Sequence, residues 1–196
     1  MGLIKQAGDL VYTFRFLTLL VTPFDKTKAY EVGIIDENGK RNRDYSMNTI
    51  EARDNYRNYY TPFHRLVFNI KRLMAKAPGG GSTLASYAAA LYLIKEKYSV
   101  SEKKILKGLS QIGIDSTDFL AEESNWFVLD NGQLSPGVYK LKYEKVSEAV
   151  DMIPHDKIRV EDNAMPVGQM FGINIYEAIH MRSRQKIYVT SLELLR

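Results

Sequence analysis

The chain has 196 residues and contains no cysteine. That length allows one domain of ordinary size or two small ones. The missing thiols exclude disulfide frameworks, thiolate metal sites and cysteine nucleophiles, and they suit a reducing compartment. Hydrophobic residues make up 45% of the chain and charged residues 26%, which is typical of a globular protein rather than a disordered one.

The formal net charge of +4 is unevenly distributed. Nine basic and three acidic residues lie between positions 40 and 76, a local balance of +6, whereas residues 114–131 carry five acidic residues and no basic one. Such asymmetry indicates an anionic partner or complementary association between copies of the chain. The apolar run Phe16–Phe24 is shorter than the roughly 20 residues of a membrane span, so no spanning segment is predicted.

Apolar residues at helical spacing predict five helices in the first part of the chain. The first runs from about Leu3 to Val21, on the spacing of Leu10, Phe14, Leu17 and Val21, and Pro23 ends it. A turn at Asp36–Gly39 and a polar, exposed segment separate it from the others. Two of the other helices are predicted from Glu51 to Tyr60 and from a Thr61 cap to the stop at Pro78–Gly81. Two more are predicted from a Ser82 or Thr83 cap through Leu84 to Tyr98, and from a Ser101 cap to an end just before Gly113.

The rest of the chain favours β-strands, because short β-branched and aromatic runs alternate there with turn sequences such as Asp130-Asn131-Gly132. A hairpin is predicted from Phe171–His180 and Gln185–Thr190, and a helical insertion is predicted over Val146–Met152. The fold class is therefore α+β, with an N-terminal helical region followed by a small antiparallel β-sheet or barrel. We expect residues 1–124 to be mainly helical and residues 125–196 to be mainly β, as two units or as one continuous domain.

Motifs that would indicate catalysis or metal binding are missing from the sequence. The three histidines are scattered, and the loop Pro78–Gly81 lacks the lysine that a phosphate-binding loop places before its Ser or Thr. No serine stands in a nucleophile motif. We therefore assign no catalytic, cofactor-binding or metal-binding residue and favour a non-enzymatic protein. A catalytic site assembled from residues dispersed in the sequence remains an open alternative.

The most distinctive partner signal is a segment in which basic and aromatic residues alternate. Cations can hold phosphates while aromatic rings stack on bases, as in proteins that bind single-stranded nucleic acid. The spacing of Tyr56, Tyr59, Tyr60 and Phe63 also fits a buried helical stripe, which would leave the arginines as a solvated face. An acidic protein surface is a third interpretation. The candidate contact residues are Arg41, Arg43, Arg53, Arg57, Tyr59, Arg65, Lys71, Arg72 and Lys76.

The run Phe63–Leu73, followed by Pro78–Gly81 and Ala85–Leu91, resembles a block in uncharacterised proteins of large tailed bacteriophages. The segments Thr22-Pro23-Phe24 and Leu134–Tyr139 are similar to other parts of the same group. The resemblance implies phage origin and a virion or assembly protein made in the host cytoplasm, and it carries no catalytic residue.

We therefore expect a non-enzymatic phage structural or assembly protein, without a cofactor, located in the virion or the host cytoplasm. Its partners would be other phage structural proteins or copies of itself. The alternative is a nucleic-acid-binding accessory protein that contacts DNA or RNA through the basic and aromatic segment.

Overall fold

A computed structural model describes residues 2–76, 81–114, 127–147 and 150–196, and for residues 2–9, 76 and 81–86 it describes the backbone alone. Six helices in this part of the chain precede an antiparallel sheet that is curled into a half-barrel, so the predicted α+β class is confirmed. The helices are α1 (Gly2–Val21), α2 (Lys28–Glu31), α3 (Ile50–Tyr59), α4 (Pro62–Lys76), α5 (Gly81–Tyr98) and α6 (Glu102–Gln111).

The predicted first helix is confirmed, but it buries a different face from the one its spacing suggests. Phe16 and Leu20 are buried against the other helices. Leu10, Phe14 and Val21, whose spacing predicts the helix, lie on the outer surface. The helix is apolar on more than one side, and spacing alone does not show which side meets the core.

Capping residues start several of the helices, at Thr61 as the sequence predicts and also at Thr49, which was not predicted. The Thr49 side chain accepts a hydrogen bond from the backbone N–H of Ala52 at the start of α3, and Thr61 precedes Pro62 at the start of α4. Ser101 is the N-cap residue of α6 as predicted, but its side chain forms no capping hydrogen bond. The predicted cap at Ser82 or Thr83 is wrong, because α5 begins at Gly81 and both residues lie within it.

The described residues form six strands of one sheet, β1 (Gly137–Leu141), β4 (Lys157–Val160), β5 (Gly168–Met170), β6 (Ile173–His180), β7 (Gln185–Val189) and β8 (Leu194–Leu195), while β2 (Lys145–Val146) and β3 (Asp151–Met152) form a separate two-stranded sheet. The strand order is β5–β6–β4–β1–β8, and β7 also pairs with β6. The predicted hairpin is confirmed as β6 and β7, in which Ala178 pairs with Ile187.

The predicted helical insertion over residues 146–152 is wrong, because β2 and β3 form a tight hairpin there. Ser147 closes its turn: the Ser147 backbone N–H donates to the carbonyl of Val150, and the Val150 N–H donates to the Ser147 hydroxyl at 3.1 Å. Serine competes with helix formation by bonding nearby backbone groups in this way. Residues 148–149 lie outside the described structure, as do the predicted stop at 78–80 and the predicted boundary at 124/125.

Helix α5 joins the helices to the sheet. Met170 of β5 and Ile175 of β6 belong to the same buried cluster as the apolar faces of α1, α4, α5 and α6. Gly168 lets the two layers approach, since a Cβ atom there would lie 2.6 Å from the ring of Tyr92 in α5. The sheet also has a second core of its own, which includes Tyr139, Ile158, Tyr176 and Val189.

Candidate interaction surfaces

Four of the predicted contact arginines are exposed. Arg41 and Arg43 lie in the segment between α2 and α3, and Arg53 and Arg57 lie one turn apart on α3. The guanidinium of Arg41 lies 5.6 Å from the centroid of the Tyr56 ring, which fits a cation–π contact. Arg57 lies 3.9 Å from Asp54 on the same helix.

The neighbourhood of these four arginines is electrically balanced. Residues 36–59 contain five basic residues and five acidic residues. The excess of +6 in residues 40–76 therefore comes largely from α4, which carries Arg65, Lys71, Arg72 and Lys76 and no acidic residue. Acidic side chains so close to the arginines weaken their attraction for a polyanion.

The two arginines of α4 turn inward. The Arg65 guanidinium donates to Asp151 of β3 at 2.6 Å, with 13% of its side chain exposed. Arg72, 10% exposed, donates to the carbonyl of Gly39 at 2.7 Å and lies 3.4 Å from Glu144. These two arginines hold α4 against the turn after α2 and against the residues around the β2–β3 hairpin.

Lys71 is also used within the fold. Its Nζ donates to the carbonyl of Thr22 at the end of α1 and lies 4.2 Å from the centroid of the Phe24 ring. Burial lowers the pKa of Lys71 from 10.5 to about 8. The side chain of Lys76 lies outside the described structure.

The aromatic part of the segment packs inward as the helical-stripe interpretation predicts. Phe63 is buried in the large core between the helices, and Tyr60 is buried in a smaller core against which Tyr56 and Tyr59 pack from the edge. Tyr56 lies 5.3 Å from Tyr60, centroid to centroid. These rings are therefore packed within the fold and present little free face for a base to stack on.

The apolar side of α1 is a further surface, and it is not among the contact residues predicted from the sequence. Leu10, Val11, Phe14 and Val21 are 63%, 50%, 72% and 48% exposed, and Thr18 lies among them. We call these five residues the α1 outer face. Isolated exposed apolar residues are ordinary, but a contiguous apolar patch on a folded protein marks an interaction site. The signal in the sequence was a helix with apolar residues on two sides, of which only one can face the protein's own core.

A Ser–His–Asp contact occurs at the turn between β6 and β7. Nδ1 of His180 lies 2.7 Å from the Ser183 hydroxyl, and Nε2 lies 3.4 Å from a carboxylate oxygen of Asp156. Asp156 also accepts a hydrogen bond from Arg182 at 2.8 Å. Because the imidazole is fully buried, these contacts anchor the turn to the start of β4 rather than present a base to solvent.

A buried ion pair lies where β2 meets the C-terminal residues. Nζ of Lys145 lies 2.6 Å from Glu193, whose second carboxylate oxygen accepts the backbone N–H of Thr190 at 2.7 Å. Burial raises the pKa of Glu193, against the lowering effect of Lys145. A cavity of about 130 Å³ adjoins this pair between α5, β2 and β7, with Lys97 and Lys186 also on its wall.

In the described ranges, no three His, Asp or Glu side chains lie together as a metal site requires. No helix in the described part combines the length and apolarity needed to cross a membrane. No protein-family model, curated protein or solved structure matches the chain. The fold and these surfaces therefore define an α+β protein with an apolar helix face available for contact.

Proposed function

We propose that the chain is a non-enzymatic structural or assembly protein of a tailed bacteriophage that acts through protein–protein contacts. The observation that carries the proposal is the α1 outer face, whose central residue, Phe14, is 72% exposed. Aromatic residues are enriched in the buried centres of protein interfaces, because burying their large apolar surface stabilises a complex. The phage context of the proposal rests on the sequence resemblance alone.

The proposal is tested on a phage that encodes the chain. We expect mass spectrometry of purified virions, or of assembly intermediates separated on a gradient, to find the protein in a fixed ratio to known structural proteins. Phe14→Asp should abolish its incorporation, because an interface cannot bury the carboxylate without a partner. Ile50→Asp is the matched control, since Ile50 is equally exposed but lies on α3. Absence from virions and from every intermediate would refute the proposal.

Nucleic-acid binding is the second candidate function, and one observation favours it. Arg43 and Arg53 are exposed, and neither forms an ion pair within the described residues. Binding through them would weaken steeply as salt rises, because each phosphate contact releases a counterion. Arg43→Glu with Arg53→Glu should weaken binding to a single-stranded oligonucleotide about tenfold or more at low salt. Binding that is indifferent to salt and to both charge reversals would remove this candidate.

A further inference from the structure

The spacing of apolar residues along α1 is self-complementary. In sequence, apolar residues fall at positions 3, 7, 10, 14, 17 and 21, alternating steps of four and three that match a coiled-coil seam. The set is symmetric about residue 12: position 10 mirrors 14, 7 mirrors 17, and 3 mirrors 21. An antiparallel partner with the same sequence would therefore place an apolar residue opposite an apolar residue at each of these levels.

The exposed residues of the helix follow part of this seam. Leu10, Phe14 and Val21 are exposed, whereas Leu17 is half-buried against α6. Leu10 and Phe14 mirror each other about residue 12, so the largest exposed side chain of one copy would meet the exposed leucine of the other. The inner side of α1 packs on α4 and α6, and among the described side chains of the helix Leu10, Val11, Phe14 and Val21 remain exposed on the outer side.

The exposed area suits a dimer contact. Phe14 is the largest apolar residue of the α1 outer face and alone exposes roughly 110–180 Å², since an aromatic side chain buries about 150–250 Å². Leu10, Val11 and Val21 each add about half or more of their own surface. A stable interface needs about 800 Å² from each partner, so the face supplies a substantial part of that area, and its exposed neighbour Arg15 adds to it.

We propose that the α1 outer face pairs with the same face of a second copy of this chain, as an antiparallel helix pair with its two-fold axis at the level of residue 12. The proposal rests on the proposed function in taking this face as the contact surface, and it names the partner. In the pair, Phe14 of each copy packs against Leu10 of the other. The bodies of the two copies lie on opposite outer sides of the helix pair.

The first experiment measures the mass of the purified full-length chain by light scattering after size exclusion. We expect a dimer that dissociates on dilution, and a monomer for Phe14→Asp, with a dissociation constant raised about 100-fold or more. Circular dichroism of this variant should match the parent chain, and Ile50→Asp should remain dimeric. A parent chain that stays monomeric at millimolar concentration, or a dimeric Phe14→Asp, would overturn the proposal.

Cysteine cross-linking then tests the orientation, because the chain has no thiol of its own. An equimolar mixture of the Leu10→Cys and Phe14→Cys variants should form the mixed disulfide dimer in preference to either homodimer, since a disulfide needs Cβ atoms about 4 Å apart. Homodimers of Phe14→Cys in excess would show parallel helices and refute the antiparallel pair. Thr22→Cys is the control at the end of the helix, where no disulfide is expected.

Other occupants of the α1 outer face would give different results in these experiments. If a segment of the same chain covers the face, the parent chain is monomeric and Phe14→Asp lowers its thermal unfolding temperature. If the face binds lipid, a monomer floats with vesicles of phosphatidylglycerol and phosphatidylethanolamine. A monomer that is incorporated into virions would refute the antiparallel pair but not the proposed function. A dimer that is absent from virions and from assembly intermediates would refute the proposed function but not the antiparallel pair.

Discussion

Individual side chains of α4 show how burial determines the role of a charge. Arg65 and Arg72 find their acidic partners, Asp151 and Glu144, far along the chain. Each guanidinium is largely shielded from solvent, so a ligand could reach it only after these contacts broke. The exposed arginines of the same basic segment form no such buried contacts, so substituting them should change the stability of the fold less.

Arg72→Gln should lower the free energy of unfolding by about 2–4 kcal/mol, because it leaves Glu144 and the carbonyl of Gly39 without their donor. The matched control is Arg53→Gln, which should change stability by about 0.5 kcal/mol or less, as exposed substitutions do. Urea unfolding of both variants followed by circular dichroism measures the difference. Equal effects would contradict the division of the basic segment into structural and exposed arginines.

His64 couples the stability of the fold to pH. Burial, and then the positive charge of Arg15, lower the pKa of His64 from 6.5 to about 4. The unfolded chain therefore binds a proton between these values that the folded chain rejects, so stability is full above pH 6.5 and falls as the pH drops to 4. The loss is about 3 kcal/mol, from 1.36 kcal/mol for each pKa unit.

The measurement is urea unfolding at pH 7 and at pH 4.5, for the parent chain and for His64→Gln. Carboxylates titrate in the same range, and the variant subtracts their contribution. We expect the parent chain to lose more stability than the variant between the two pH values. The same loss in both chains would show that His64 does not carry this dependence.

At the scale of elements, α4 is the central helix of the N-terminal region. Leu66, Val67, Phe68 and Ile70 are all fully buried, so the helix meets other elements on most of its circumference. Its cations reach out between those contacts, to the end of α1, to the turn at Gly39 and to β3. Two of the four cations of this helix, Arg65 and Arg72, are thus neutralised by acidic residues from other parts of the fold.

The β2–β3 hairpin is held to the C-terminal residues by the Lys145–Glu193 pair. Lys145→Met should lower the free energy of unfolding by about 3–5 kcal/mol at pH 7, because it leaves a buried carboxylate without its cation. Burial raises the pKa of Glu193, so this penalty is fully present above the folded-state pKa and declines as the pH falls toward 4.5.

Adding Glu193→Gln to Lys145→Met removes the stranded charge and should restore part of the stability. Urea unfolding of the two single variants and the double variant forms the cycle that measures the coupling. A double variant no more stable than Lys145→Met alone would contradict a role for the charge pair.

The sequence was sufficient to predict the element types where one pattern dominates, as in α1, in the Thr61-capped α4 and in the β6–β7 hairpin. It could not show which side of α1 is buried, because Phe16 and Phe14 are equally apolar and only the placement of α4 and α6 separates them. The Val146–Met152 segment was misread as helical, because seven residues carry too little periodicity to outweigh a serine-closed turn.

The predicted contact residues fall into an exposed group and a buried group for the same reason. Charge counts along the sequence locate Arg65 and Arg72 but not their distant partners. Asp151 lies in the hairpin that was predicted as a helix, and Glu144 lies just before that hairpin. One sequence signal indicated that Arg65 and Arg72 point into the fold. More than half of the residues from Leu66 to Leu73 in α4 are apolar, which indicates a helix buried on several sides.

At the scale of the whole molecule, the helices share a core with part of the sheet. The largest buried cluster draws residues from four helices and from β5 and β6. We therefore expect thermal unfolding to be a single cooperative transition, with the calorimetric enthalpy equal to the van't Hoff enthalpy. Two separate transitions in differential scanning calorimetry would show instead that the helical and β regions unfold independently.

The shared core also has a consequence for synthesis of the chain. A ribosome makes α1 to α6 first, at about 5–20 residues per second, yet Met170 and Ile175, which complete the buried face of α5, belong to strands β5 and β6 late in the chain. Until those strands emerge, the nascent helical region keeps part of its apolar surface in water. A stop codon before residue 170 would therefore yield a chain that still contains α1 to α6 but exposes their core to chaperones and proteases.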